Sequence, residues 1–253
     1  MVQSYIEKIV TYQKENGTIP LIRKCLAKLK NVLFSYNKEV VGCISIRDQA
    51  FSASPKIPVT IRPAEMSDIP ELKICSAGYK KREFSQWIED NYICYIAQLK
   101  GPEAIDEASS MLHAGEMRGN SLTRKQPSEE ARRSGSGKKI VGYICICPSH
   151  KSKHKLISLL KLKETDYWAV DAYIHPAYRG KGINVAIASM LLAHAKREGY
   201  QRGYGTILSK NTTSRRSYGS IGEKEIGVFT TITMGGITFY FLRQNKGYEE
   251  FFN

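Results

Sequence analysis

The feature that most constrains the fold is a short glycine-containing loop between an apolar run and a helical segment. The run "YWAVDAYI" (residues 167–174) is typical of a buried strand, and the loop "HPAYRGKGIN" (residues 175–184) follows it. Residues 184–198 then carry apolar side chains on one helical face, and Gly199 ends the segment. This order predicts a strand–loop–helix unit of an α/β domain.

The loop itself has the composition of an anion-binding turn. Gly180 and Gly182 permit backbone conformations that other residues disfavour, and Arg179 and Lys181 supply positive charge. The first N–H groups of the helix have no partner within the helix, so a pyrophosphate would fit there. The spacing excludes a Walker A loop and a GxGxxG dinucleotide fingerprint. Taken alone, the loop is equally compatible with an ordinary turn between a strand and a helix.

The segments on either side alternate between strand-like and helical patterns. Strand-like runs are "VTIRPA", "YICYIAQL", "IVGYICIC", "YGTILS" and a closing hairpin, "GVFTTITMGGITFYFLR". Helices are predicted over residues 67–90 and within "NTTSRRSYGS", whereas "SHKSKHK" (residues 149–155) is predicted to be a solvated loop. The alternation predicts one mixed α/β domain over residues 58–253.

Two other segments stand apart from this domain. Residues 1–57 are predicted to form an N-terminal extension of two helices and a hairpin, with the hairpin over residues 32–46. Residues 101–138 interrupt the domain and end in the polar, Gly- and Ser-rich run "TRKQPSEEARRSGSGKK", which predicts a mobile insertion. The two N-terminal helices faintly resemble a helix-turn-helix, so nucleic-acid binding is one hypothesis for the extension, although we favour a packing role.

Composition limits the classes of partner and the compartment. The net charge of +14 favours an anionic partner, such as a nucleotide-like cofactor, although a solvated lysine-rich exterior would give the same value. Six cysteines occur and none lies in a CxxC pair, so no metal site is predicted. We find neither a signal-peptide pattern at the N-terminus nor an apolar run long enough to cross a membrane. We therefore expect a cytoplasmic protein.

At the glycine loop the sequence resembles the GNAT superfamily of acetyl-CoA-dependent N-acetyltransferases. The family signature is a strand ending in an aliphatic residue before a proline, then Gln or Arg, two residues, Gly, one residue, and Gly or Ala at the start of a helix. The matching positions are Ile174, Pro176, Arg179, Gly182 and Ile183. Asn184 stands where the family has Gly or Ala. The resemblance extends from about residue 59 to residue 243 and includes an asparagine seven residues before a tyrosine, here Asn211 and Tyr218.

The resemblance implies a mixed, mostly antiparallel central sheet flanked by helices, with acetyl-CoA as the acetyl donor. The strand end would contact the pantetheine arm through Ala172, Tyr173 and Ile174. Backbone amides of the loop and helix start would bind the pyrophosphate, from Arg179 and Gly180 through Lys181 and Gly182 to Ile183 and Asn184. Asn211 would contact the cofactor, or else would simply cap the following helix.

The resemblance also implies catalytic roles. Tyr218 matches the tyrosine that protonates the departing thiolate, and the alternative is a packed helix tyrosine. Some relatives carry a glutamate five residues before the asparagine, but Thr206 occupies that position here and cannot act as a base. Asp171 is the nearest carboxylate in sequence and becomes the candidate base, unless it is only an exposed or ion-paired side chain.

The sequence therefore predicts an enzyme that transfers an acetyl group from acetyl-CoA to a primary amine by direct attack. The amine would belong to a small molecule, a protein lysine or a protein N-terminus. The alternative is a non-catalytic acetyl-CoA-binding protein, which Thr206 and Asn184 would favour. Under this resemblance, residues 1–57 would be a packing extension or a partial copy of the front half of such a domain.

Overall fold

The computed structural model describes residues 34–47, 52–76, 84–100 and 139–252. The two helices predicted within residues 1–33 and the insertion predicted over residues 101–138 lie outside the described residues. Among the described residues, no helix is long and apolar enough to cross a bilayer.

The described chain is built around one eight-stranded sheet. The strands in chain order are β1 (Phe34–Ser45), β2 (Val59–Pro63), β3 (Ile93–Leu99), β4 (Ile140–Pro148), β5 (Asp166–Ile174), β6 (Arg202–Leu208), β7 (Lys224–Met234) and β8 (Ile237–Gln244). Their spatial order is β2-β3-β4-β5-β6-β1-β7-β8. Only the β5–β6 pair is parallel within this sheet, so the mixed, mostly antiparallel architecture is confirmed.

Helices cover both faces of the sheet. They are α1 (Ile69–Cys75), α2 (Phe84–Glu89), α3 (Ile183–Arg197) and α4 (Thr212–Gly219). Helix α3 packs on β3 and β4 and buries Ile187 and Leu191 against Tyr95 and Ile144. Each aliphatic side chain buried in this way contributes about 1.5–3 kcal/mol. Helices α1 and α2 pack on the opposite face, where Phe84 contacts the ring of Tyr143 at 4.9 Å between centroids.

Strand β1 corrects one prediction. The prediction of a hairpin over residues 32–46 is wrong, because Phe34–Ser45 forms one continuous strand of 12 residues. The strand lies between β6 and β7 and runs antiparallel to both. Asn37, Lys38 and Glu39, predicted to be the turn, pair with Thr231, Thr230 and Phe229 of β7. Pairing with β7 thus satisfies backbone groups that a turn would have left exposed, and Glu39 also pairs with β6.

Strands β5 and β6 separate after a short paired stretch. Their parallel pairing covers only Asp166 to Trp168, opposite Arg202 to Tyr204. The closed end is fixed by Asp166, a fully buried carboxylate that accepts a hydrogen bond from Arg202 Nη2 at 3.1 Å. Beyond it, the pairing of β5 with β4 shifts by one residue at Val170, which is a β-bulge. The bulge and the loss of pairing open a gap in the sheet at the end of β5.

The cysteines of β3 and β4 are buried. Cys94 and Cys145 are direct partners in the ladder and form a disulfide. Cys147 is a free, buried thiol on the same strand as Cys145. Nothing in the spacing of the cysteines indicated the pairing of Cys94 with Cys145.

Candidate functional site

A cleft of about 750 Å³ lies at the gap between β5 and β6. Its walls are the end of β5, the glycine loop, the first turn of α3 and one side of α4. Three cations line it, Lys56, Arg179 and Lys210, and none of its described lining residues is acidic. A volume of this size suits a ligand of cofactor dimensions, and the charge suits an anion.

The glycine loop ends at Gly182, whose backbone has a left-handed conformation and which precedes the first residue of α3. Gly180 and Gly182 have φ values of 75° and 77°, and Gly182 is the N-cap of the helix. A side chain at either position would be strained, because L-residues avoid this region. Helix α3 begins at Ile183, so Asn184 lies inside its first turn and is not a cap. The first amides of this 15-residue helix therefore face the cleft without partners in the helix.

Most of the predicted cofactor-binding residues line this cleft. They are Ala172, Tyr173, Ile174, Arg179, Gly180, Gly182, Ile183, Asn184 and Asn211. Lys181 does not, and its carbonyl oxygen accepts a hydrogen bond from the N–H of Lys56 at 2.8 Å. Sequence reasoning missed Lys56 and Lys210, because they lie far from the signature and isolated lysines carry no pattern of their own.

Arg179 and Asn211 also have structural partners. The Nε of Arg179 donates to the carbonyl of Ile174 at 3.0 Å, which ties the loop back to the strand end. Asn211 is the N-cap of α4, and its Oδ1 accepts from the N–H of Ser214 at 3.2 Å. The capping alternative for Asn211 is therefore present, and the residue also borders the cleft. Direct contact of Asn211 with a cofactor stays a prediction.

Tyr218 is a partly buried lining residue of the cleft and is tied to Asn184. The side chains of the two residues are hydrogen-bonded across α3 and α4. Burial raises the pKa of Tyr218, Glu223 raises it further, the Asn184 hydrogen bond lowers it, and Asp171 raises it. A donor to the phenolic oxygen stabilises the phenolate, so Asn184 partly offsets the effect of burial. The residue that departs from the family signature thus has a definite partner.

Asp171 lies on the other side of the sheet from Tyr218. Its Oδ2 accepts a hydrogen bond from the hydroxyl of Tyr143 at 2.9 Å, and Tyr143 belongs to the cluster beneath α1 and α2. The carboxylate is half-buried and is not among the residues that line the cleft. Its charge nevertheless acts on Tyr218 through the gap between β5 and β6. The role of Asp171 as a base stays a prediction.

Glu223 is a second carboxylate near Tyr218, and sequence reasoning missed it. It follows α4 in a turn, where its N–H donates to the carbonyl of Tyr218 at 3.1 Å. Burial, with a smaller contribution from Glu225, raises the pKa of Glu223 to about 7. In the sequence it belongs to "GEKEIG", a polar run before a strand, where nothing separates it from an exposed turn residue.

No curated protein matches the sequence. Among solved structures, a putative GNAT-family acetyltransferase from Novosphingobium aromaticivorans is 11% identical, with a TM-score of 0.45, covering 84% of this chain and 66% of that one. A GCN5-related N-acetyltransferase from Sphaerobacter thermophilus is 13% identical, with a TM-score of 0.45, covering 87% of this chain and 55% of that one.

A third solved structure is that of Arabidopsis thaliana NAA60 in complex with acetyl-CoA. It is 14% identical, with a TM-score of 0.40, covering 75% of this chain and 99% of that one. The chain spans between about half and two thirds of the length of the two bacterial proteins. These similarities concern the fold and identify no acceptor.

The family comparison covers the segment that builds the cleft. The model of the acetyltransferase (GNAT) family matches residues 126–222. The match includes β4, β5, the glycine loop, α3, β6 and α4. This part of the chain is therefore similar to the acetyltransferase (GNAT) family.

Proposed function

We propose that this protein transfers an acetyl group from acetyl-CoA to a primary amine. The observation that carries the proposal is one cleft that joins the glycine loop, the free amides of α3 and three cations to a partly buried tyrosine, Tyr218. An anionic, elongated ligand fits this arrangement, with its phosphates at the loop and its reactive end at Tyr218. Acetyl-CoA has this shape and charge, and it supplies the thioester from which the acetyl group is transferred.

Each wall of the cleft has a separate task in this proposal. The amides of Ile183 and Asn184 would hold the pyrophosphate, with charge from Arg179, Lys56 and Lys210. The unpaired edge of β5 near Ala172 would hydrogen-bond the pantetheine arm, since this stretch of β5 is not paired with β6. Both contacts would orient the thioester before reaction, which lowers the entropic part of the barrier.

Tyr218 would act as the acid. The departing sulfur gains a proton as the amine nitrogen loses one, and Tyr218, which lines the cleft, would give that proton. The hydrogen bond from Asn184 would stabilise the phenolate that remains. Asp171 would receive the proton of the amine, either directly or through water, from the other side of the gap.

Binding and turnover are tested separately. Calorimetry with acetyl-CoA measures binding, and mass detection of products across a panel of primary amines, peptides with free N-termini and lysine peptides measures transfer. We expect micromolar binding and at least one acetylated product. Binding without any product would instead support a non-catalytic acetyl-CoA-binding protein, and no binding would reject the proposal.

The glycine loop offers a matched pair of variants for the binding measurement. Gly182→Val places a branched side chain at a residue with φ 77° that borders the cleft. Gly199→Val introduces similar strain at φ 86°, beyond the C-terminal end of α3 and away from the cleft. We expect Gly182→Val to lose acetyl-CoA affinity by at least about 100-fold and Gly199→Val to retain it. Equal affinities would contradict the assignment of the phosphate site.

A further inference from the structure

We infer that Glu223 returns a proton to Tyr218 in each cycle of acetyl transfer, through a water-sized cavity that the two side chains share. The inference rests on the proposed function, because it concerns the acid of that reaction. Glu223 acts through Tyr218 and does not touch the substrate. Three features of the structure carry it: the placement of the two residues, the cavity between them, and the charges around the carboxyl group.

The backbone fixes Glu223 beside Tyr218. After α4 ends at Gly219, a tight turn brings the chain back, and the carbonyl of Tyr218 accepts hydrogen bonds from the N–H groups of both Ile221 and Glu223 at 3.1 Å. The Glu223 side chain then lies directly over Gly42 of β1, where a methyl group built on Gly42 would overlap the carboxyl group. The close approach of the carboxyl group to the sheet therefore requires glycine at position 42.

A small cavity connects the two side chains on the α3 face of the sheet. It has a volume of about 30 Å³, and its polar lining includes Tyr218, Glu223 and Tyr167. The rest is mainly apolar, with Leu191 and Leu192 from α3. A space of this size with several polar groups accommodates one water molecule, which would link Glu223 to the Tyr218 hydroxyl.

The surroundings of Glu223 favour a carboxyl group that is protonated part of the time. Glu225 from β7 raises the pKa of Glu223. The charge of Glu223 in turn raises the pKa of three groups, which are Tyr218 from α4, Tyr167 from β5 and Cys43 from β1. None of these is a cation, and the guanidinium of Arg215 is held by Glu225 in two hydrogen bonds. Burial without a counter-charge raises the pKa of Glu223 to about 7, so both forms are populated near neutral pH.

Partial burial of this carboxyl group should reduce the free energy of unfolding above neutral pH. The folded pKa lies above the ordinary value, so the folded state holds more protons than the unfolded state between about pH 4.5 and pH 7. Stability from this group is therefore present at low pH and is lost as the pH rises through the folded pKa. A neutral glutamine would avoid the loss, and groups that reduce stability in this way are typical of functional sites.

The proton balance of the step is simple. The sulfur takes the proton of the Tyr218 hydroxyl, and the phenolate takes a proton from the water in the cavity, which takes one from protonated Glu223. The amine nitrogen loses one proton as the amide forms, so one proton leaves the acceptor and one joins the thiol. Glu223 is only partly buried, and it is restored by taking a proton from solvent.

The test compares Glu223→Gln with Glu164→Gln, a control at an exposed glutamate. Release of the CoA thiol from acetyl-CoA is followed from pH 5 to pH 9, with water as acceptor and with the best amine of the panel. We expect Glu223→Gln to lower kcat about 10-fold with an unchanged KM for acetyl-CoA. Wild-type kcat should fall as the pH rises through about 7, and this dependence should be absent from Glu223→Gln. Glu223→Asp should retain part of the rate and the pH dependence.

A second measurement does not depend on catalysis. At pH 8 the Tm of Glu223→Gln should exceed that of the wild type, and the difference should vanish near pH 4.5. Unchanged kcat and pH dependence in Glu223→Gln would overturn the inference and leave the proposed function intact. A rate loss in Glu223→Gln without the change in pH dependence would assign Glu223 a packing role and would also overturn it. Wild-type protein that binds acetyl-CoA but releases no thiol would overturn both.

Discussion

Two carboxylates influence Tyr218 from opposite faces of the sheet, and they differ in how they are held. Asp171 on β5 accepts a hydrogen bond from Tyr143 at 2.9 Å. Glu223, after α4, lies over Gly42 beside a small cavity, and the charged side chain that acts on its pKa is another carboxylate, Glu225. A donated hydrogen bond stabilises the ionised form of a carboxyl group, whereas uncompensated burial stabilises the protonated form.

The difference suggests two tasks at one reaction centre. A carboxylate held by a tyrosine hydroxyl suits a group that accepts the proton of the amine, on the face of α1 and α2. A carboxyl group with a pKa of about 7 on the face of α3 suits a group that gives a proton toward the thiol. Separating acid and base on the two faces would keep the two groups from neutralising each other before the reaction.

Removing Tyr218 should have the largest effect, because both carboxylates are proposed to act around it. We expect Tyr218→Phe to lower kcat about 100-fold or more while acetyl-CoA affinity, measured by calorimetry, changes little. The exposed Tyr240→Phe serves as the control. Adding Glu223→Gln to Tyr218→Phe should cause no further loss, because the relay has already lost its acceptor. An additional 10-fold loss of kcat in the double variant would show that Glu223 does not act through Tyr218.

Asp171→Asn should have the next largest effect. If Asp171 takes the amine proton, kcat should fall about 10- to 100-fold with the amine as acceptor, and acetyl-CoA affinity should remain. The proposed roles also predict opposite pH dependences: Asp171 is needed ionised and Glu223 protonated. Steady-state kinetics of the two single variants across pH would show this. Equal kcat values for Asp171→Asn and the wild type would show that Asp171 is not the base.

Asn184→Ala should have a smaller effect, although it restores a residue of the family signature. The variant removes the side-chain hydrogen bond to Tyr218 and so removes the interaction that lowers its pKa. We expect kcat to fall about 3- to 10-fold, with acetyl-CoA affinity unchanged or slightly improved. Tighter binding together with unchanged kcat would show that Asn184 only limits the approach of the cofactor to α3.

Tyr143→Phe should have the smallest effect, because Tyr143 acts on the proposed chemistry through Asp171. The variant deletes the hydroxyl that donates to Asp171 and leaves the ring packed against Phe84. We expect a loss of about 1 kcal/mol in the free energy of unfolding, measured by denaturant titration. The pH dependence assigned to Glu223 should be unchanged. A shift of that pH dependence would show that the two carboxylates are coupled through Tyr218.

The sequence anticipated the elements with strong local signals. The unit of β5, the glycine loop and α3 follows the predicted order, and the closing hairpin turns at Gly235 and Gly236, both with positive φ. These elements depend on hydrophobic periodicity and turn residues, which act between near neighbours in the chain. Most of the residues that line the cleft were predictable for the same reason, since they belong to one contiguous signature.

Predictions failed where distant segments decide the environment. Residues 37–39 were predicted to be a turn from their composition, but pairing with β7 extends them into β1. The run "SHKSKHK" was predicted to be solvated, yet His154 packs 4.9 Å from the ring of Trp168, and burial lowers its pKa. Both errors arise because pairing and packing override local preference when the partner lies far away in sequence.

The sequence by itself determined the α/β class, the glycine loop that starts α3, and the candidate acid Tyr218. These follow from backbone constraints on glycine, from the free amides at a helix start, and from motif spacing. Only the tertiary structure decided that the Asn184 side chain is hydrogen-bonded to Tyr218, that β1 lies between β6 and β7, and that Glu223 is partly buried over Gly42. Burial and the distance between charges are properties of the folded chain, and they set the pKa values on which the chemistry depends.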